Sequence, residues 1–162
     1  LRSGKVDAMS MGEPIVTMMA DEAKIVEEAI STKSTEKHFG GPVPIICIYA
    51  PETFAKENPR TAQALANGLV RALQWIQKAS AEEIADSVPE GDLQGAGGRE
   101  LFVRAVENAK EMYSPDGVIP DGGPERVLKM LREFDESVRN VNIDFSRTFT
   151  NEFVKAAVRA KQ

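Results

Sequence analysis

Glu13 is the residue whose type and position could do the most chemistry. It ends the run Ser10-Met11-Gly12-Glu13 and precedes Pro14, and proline suits the first helical position because its missing N–H would have no partner there anyway. A carboxylate in such a turn can accept hydrogen bonds from an amine, amide or hydroxyl of a small molecule. The same carboxylate would also complement the positive end of the helix dipole, so both roles stay open. If Glu13 meets a ligand, its charge favours a solute with cationic or donor groups over a plain anion. Ser10, Met11 and Gly12 complete the expected binding turn, although alternation along a strand turns only one of Ser10 and Met11 toward a given side. Asp7 reads as a structural carboxylate. Tyr49, at the end of an apolar run, reads as packing first and as a ligand contact second.

No catalytic constellation is visible. His38 is the sole histidine and lies in a polar stretch, where a solvated imidazole is the simpler reading. Cys47 is the sole cysteine, so no intrachain disulfide is available, and its place between Ile46 and Ile48 predicts a buried thiol with poor access. No cluster has metal-ligand spacing. The glycines around Gly95-Ala96-Gly97-Gly98 lack the preceding strand and the lysine of a phosphate loop and read as a connector. The expectation is therefore a binder that needs no cofactor and no metal, rather than an enzyme.

Composition narrows the partners. A net charge of −5 and a pI near 5.1, with scattered lysines and arginines, give no electrostatic reason to bind nucleic acid or anionic membranes. The longest apolar run, Val43-Pro44-Ile45-Ile46-Cys47-Ile48-Tyr49-Ala50, is far shorter than the roughly 20 residues of a membrane-crossing helix.

The elements that would position these residues can be read from periodicity. Residues 5–11 form a strand candidate followed by a turn and a helix over 14–20. Residues 23–29 are a second strand candidate, residues 31–41 a polar loop, and residues 43–49 a strand apolar on both faces, as in a sheet covered above and below. A short helix over 51–57 follows. Then Ala62, Ala66, Leu69, Leu73 and Ile76 line one face of a long helix running to residue 79. Ser80-Ala81-Glu82-Glu83 is a capping box, and residues 90–98 read as a glycine-rich loop. Phe102, Ala105, Val106, Ala109, Met112 and Tyr113 repeat at helical spacing, Val118-Ile119 is a brief extended segment, and Val127, Leu128, Leu131 and Phe134 point inward from a helix begun at Pro124. Thr148 or Thr150 caps a terminal helix. Leu1-Arg2-Ser3-Gly4 reads as the last turn of a helix closed by a left-handed glycine, so the chain is expected to begin inside a longer one, without the strands that would complete its sheet.

Taken in order, Leu1-Arg2-Ser3-Gly4-Lys5-Val6-Asp7-Ala8 with Gly12-Glu13-Pro14 resembles the "L-x-x-G-x-V-D-A … E/D-P" signature of nitrate/sulfonate/taurine-type solute-binding proteins of ABC importers. Pro51-Glu52-Thr53-Phe54 leading through Asn58-Pro59 to Ala72-Leu73-Gln74-Trp75-Ile76 is similar to that family's helix pair. Asn142-Ile143-Asp144-Phe145 and Thr148-Phe149-Thr150-Asn151-Glu152-Phe153 are similar to the start of its last helix. The resemblance covers almost the whole chain and about the second half of a family member.

It implies an α/β fold of the type II periplasmic-binding-protein kind, a mostly parallel sheet covered by helices, incomplete because the N-terminal part is missing. Residues 1–28 would end the distal lobe and 29–162 would belong to the proximal lobe. The cleft would lie beside Ser10, Met11, Gly12 and Glu13, although Gly12 stands where the family often has an aromatic residue. The implied partners are a small organic or oxyanion-type solute, a membrane permease, and the missing N-terminal half or a second copy; the implied location is periplasmic or lipid-anchored. A pyrimidine-precursor enzyme of the same fold and a non-catalytic α/β interaction domain are the alternatives.

Overall fold

Capping and amphipathic spacing account for most of the helices in the computed structural model, which describes residues 1–26 and 31–159. The order is α1 (Ile15–Met19), α2 (Thr32–Phe39), α3 (Glu52–Glu57), α4 (Pro59–Lys78), α5 (Ala81–Asp86), α6 (Glu90–Gly95), α7 (Arg99–Ala109), a 3-10 turn (Lys110–Met112), α8 (Gly123–Phe134), a second 3-10 turn (Phe145–Arg147) and α9 (Glu152–Arg159).

The expected α/β architecture with a mostly parallel sheet is overturned: no strand forms among the described residues. The reason is that a strand, unlike a helix, cannot satisfy its backbone groups within itself. Residues 5–11 and 43–50 carry strand-like composition, yet their backbone groups bond to no other described residue. Of the third candidate, residues 23–26 also lack regular structure and 27–29 lie outside the described residues. The described residues of the three candidates do not pair with one another.

Contacts divide the chain into two compact units, Leu1–Glu27 with Lys78–Glu111 and Glu28–Gln77 with Met112–Gln162. In the first unit α7 is the hub, packing on α5, α1 and α6. Its buried side is Ala105, Val106 and Ala109, part of an alanine-rich core that also includes Ala81, Ala85, Ile84 and Leu93. Small residues let helices of only six residues approach closely. The capping box at α5 is present in both directions: Glu83 N donates to Ser80 Oγ (3.1 Å) and Ser80 N donates to Glu83 Oε2 (2.7 Å). Lys110 Nζ donates to Ala79 O (2.6 Å), which ties the end of α7 to the approach to α5. Met112 and Tyr113, expected on the α7 stripe, lie beyond its end and are exposed.

In the second unit α4 supplies Val70, wholly buried, and Leu73. Gly117 must stay small there, since a Cβ would stand 3.2 Å from Leu73 Cδ1 and its φ is +77°. Asn151 treats the main chain of Ile119 as a strand neighbour would, accepting from Ile119 N (2.9 Å) and donating to Ile119 O (3.0 Å). α2 packs on α8, from which Leu128 is buried. Leu131 and Phe134, expected inward, are exposed.

Two expected loops are helices. Ser31 Oγ accepts from Ser34 N (3.3 Å), opening α2 within residues 31–41, and Gly40 closes it at φ +71°. α6 occupies the first part of residues 90–98, with Glu90 and Asp92 in its first turn and Gly97 and Gly98 at positive φ after it.

Candidate functional site

The turn singled out from the sequence runs into α1 of the first unit. α1 is one and a half turns long, and its early amide donors lack intrahelical acceptors. Gly12 O accepts from Val16 N (3.3 Å), and Glu13 Oε2 accepts from Thr17 N (3.0 Å). Glu13, half-buried, thus does what the capping reading anticipated with one oxygen. Its Oε1 makes no hydrogen bond among the described residues.

What holds that carboxylate in place is Thr17. It is 5% exposed, and its Oγ1 accepts from Asn108 Nδ2 (3.0 Å) on α7. The chain of bonds from Glu13 to Thr17 to Asn108 fixes the turn to the hub helix. A second tie brackets it: the Arg2 guanidinium donates from Nε (2.7 Å) and Nη2 (2.5 Å) to the Glu22 carboxylate, a forked pair across the segment that carries the turn. That hydrogen bonding, with the charge of Arg2, holds the Glu22 carboxyl below the usual glutamate range.

Ser10, Met11 and Gly12 are exposed, and a Cβ built on Gly12 would meet nothing within 4 Å. The four expected binding residues therefore form one accessible strip. Three of them are exposed, and the fourth presents an oriented carboxylate. Sequence reasoning passed over Thr17 and Asn108. The available signal was a lone polar residue inside Ile15-Val16-Thr17-Met18-Met19, four residues after Glu13.

The remaining candidates belong to the second unit. His38 lies in the last turn of α2, not in a loop, where a basic group complements the helix end. Cys47 is exposed, against the expectation of a buried thiol. The burial argument assumed covering layers on both faces of residues 43–49, and the described residues supply none. Tyr49, in the same stretch, is 92% exposed. Among the described residues, no group of three or more His, Cys, Asp or Glu side chains could hold a metal ion. No helix among them is long and apolar enough to cross a membrane.

No family model and no curated protein matches the chain. A solved structure from Bordetella bronchiseptica RB50 is similar, with 41% identity, a TM-score of 0.89 and coverage of 99% of this chain. The match takes in 51% of the Bordetella chain, so this chain spans about half the length of that relative.

Proposed function

We propose that this chain forms part of a solute-binding component of an ABC importer, a binder rather than an enzyme, that takes up a small organic solute and delivers it to a membrane permease outside the cytoplasm. The observation that carries the reading is the Glu13 carboxylate. It is oriented through Thr17 and Asn108, has one oxygen without a partner among the described residues, and stands at the end of the accessible strip Ser10, Met11 and Gly12. An oriented carboxylate at the end of an exposed strip is suited to a ligand that offers N–H or O–H donors. The resemblance of the flanking residues to solute-binding proteins supports a ligand contact at the same turn.

The test is thermal stabilisation of the protein, alone and joined to the unmatched half of the Bordetella chain, by panels of small ammonium, amide and hydroxyl compounds against nitrate and simple sulfonates. A donor-bearing compound should stabilise it, and Glu13→Gln should weaken that compound by about 10- to 100-fold, the worth of a hydrogen bond to a charged group. Preference for the plain anions, or unchanged affinity in Glu13→Gln, removes Glu13 from the site.

A further inference from the structure

We infer that residues 43–50 of the second unit are an interaction surface, covered by polypeptide of the kind that the Bordetella relative carries beyond the half matched here. Ile46 is 93% exposed and Tyr49 92%, and Ile45 and Ile48 are each more than half exposed. Even and odd positions are bare alike, so both faces of the segment lack a cover. Its backbone donors and acceptors bond to no other described residue. An unpaired apolar run of this composition invites pairing with another chain.

The segment is also presented from a fixed base. Arg126 donates from Nε (3.1 Å) and Nη2 (2.8 Å) to Pro42 O and from Nη2 to Asp121 O (2.9 Å), and a Cβ on Gly123 would stand 3.0 Å from Pro44 Cδ. At the far end, Pro51 O accepts from Phe54 N (3.0 Å) at the start of α3. The near end is anchored, the far end runs into α3, and the apolar middle is open.

Area sets the size of the missing cover. The chain exposes 11887 Å², against about 8,000 Å² for a folded chain of this mass and about 9,500 Å² for its two units counted as separate globules. The excess of roughly 2,000 Å² or more, summed over both units and not over residues 43–50 alone, is what one partner loses in a large obligate interface. The Bordetella chain keeps the same fold, with a TM-score of 0.89, inside a polypeptide about twice as long. Its unmatched half is of a size to supply that cover and, being joined to the same fold, is held at a high effective concentration that a separate second copy lacks, which favours it over a second copy. This inference does not rest on the solute-binding reading.

Cys47, the only cysteine, lies inside the surface and reports on it directly. The 162-residue chain is expressed alone and together with the unmatched half of the Bordetella chain, and the rate of Cys47 labelling by a maleimide is followed. A one-to-one complex is expected, with labelling slowed by at least about tenfold. Ile46→Lys, at a position 93% exposed, should leave the helicity of the isolated chain unchanged and restore fast labelling in the mixture. A single polypeptide joining the two halves in the Bordetella order gives the same comparison if the added half is insoluble. Unchanged labelling in both formats overturns the inference. Protection that grows with the concentration of the 162-residue chain alone also overturns it, by making a second copy the occupant.

Discussion

If α7 positions the Glu13 turn through Thr17 and Asn108, the two side chains should be energetically coupled, and unequally costly to remove. Thr17→Val keeps the volume of a side chain that is 5% exposed and deletes only the acceptor for Asn108. The freed Asn108 amide is exposed and regains water, so the loss is that of one neutral hydrogen bond, about 0.5–1.5 kcal/mol. Asn108→Ala strands the Thr17 hydroxyl without its partner away from water, which costs about 1–3 kcal/mol. The higher helix propensity of alanine returns about 0.5 kcal/mol of that. The buried partner is thus protected by the exposed one, and removing the exposed one should cost more. The double variant should cost about 1 kcal/mol less than the sum of the single ones, since the second deletion breaks nothing further. Urea unfolding followed by helical circular dichroism measures all four corners of the cycle, and each kcal/mol corresponds to about 2–4 °C in a thermal scan for a chain of this size. Additive costs, or Thr17→Val as the costlier change, would refute the account of how Glu13 is held.

Two further outcomes follow from local geometry. Gly40→Ala and Gly117→Ala impose the same left-handed backbone, at φ +71° and +77°, which costs about 1–2 kcal/mol. Only residue 117 would also press on Leu73, adding about 1–3 kcal/mol, so equal midpoints in urea would show that Leu73 yields freely. Because Arg2 holds the Glu22 carboxyl below its ordinary value, the pair contributes above the unfolded glutamate pKa and is lost as pH falls through the lower folded one. An NMR titration of Glu22 should therefore run acid of the ordinary glutamate range and return to it in Arg2→Ala; an unchanged curve would remove the forked pair.

The helices were legible where a segment carries its own instructions. The α5 capping box needs only Ser80 and Glu83, and the α4 stripe of Ala62, Ala66, Leu69, Leu73 and Ile76 is half-buried or buried along its length. Val70, the most buried side chain of that helix, sits beside the stripe and escaped it, because ideal spacing does not record the local closeness of the Gly117 turn. The strands were misread for the opposite reason. Val43 to Tyr49 has strand composition, but composition states only what a segment would do beside a partner. For the candidate site, Glu13 was legible because proline marks the start of a helix. Thr17 and Asn108 are 91 residues apart and meet only through packing.

The misread strands and the accessible turn have one physical origin. The first unit is built around alanines, and among the described residues of the second the one fully buried large side chain is Val70. Cores this thin leave apolar side chains in the irregular segments uncovered: Val6, Met9 and Met11 before the Glu13 turn, and Ile45, Ile46 and Ile48 after Pro44. One such feature stands in each unit, so cover over residues 43–50 and cover over the Glu13 turn are two separate questions. Covering residues 43–50 without changing the surroundings of Ser10 to Glu13 would separate the interface from the ligand site, and Cys47 labelling read beside the Glu13→Gln affinity tells these cases apart.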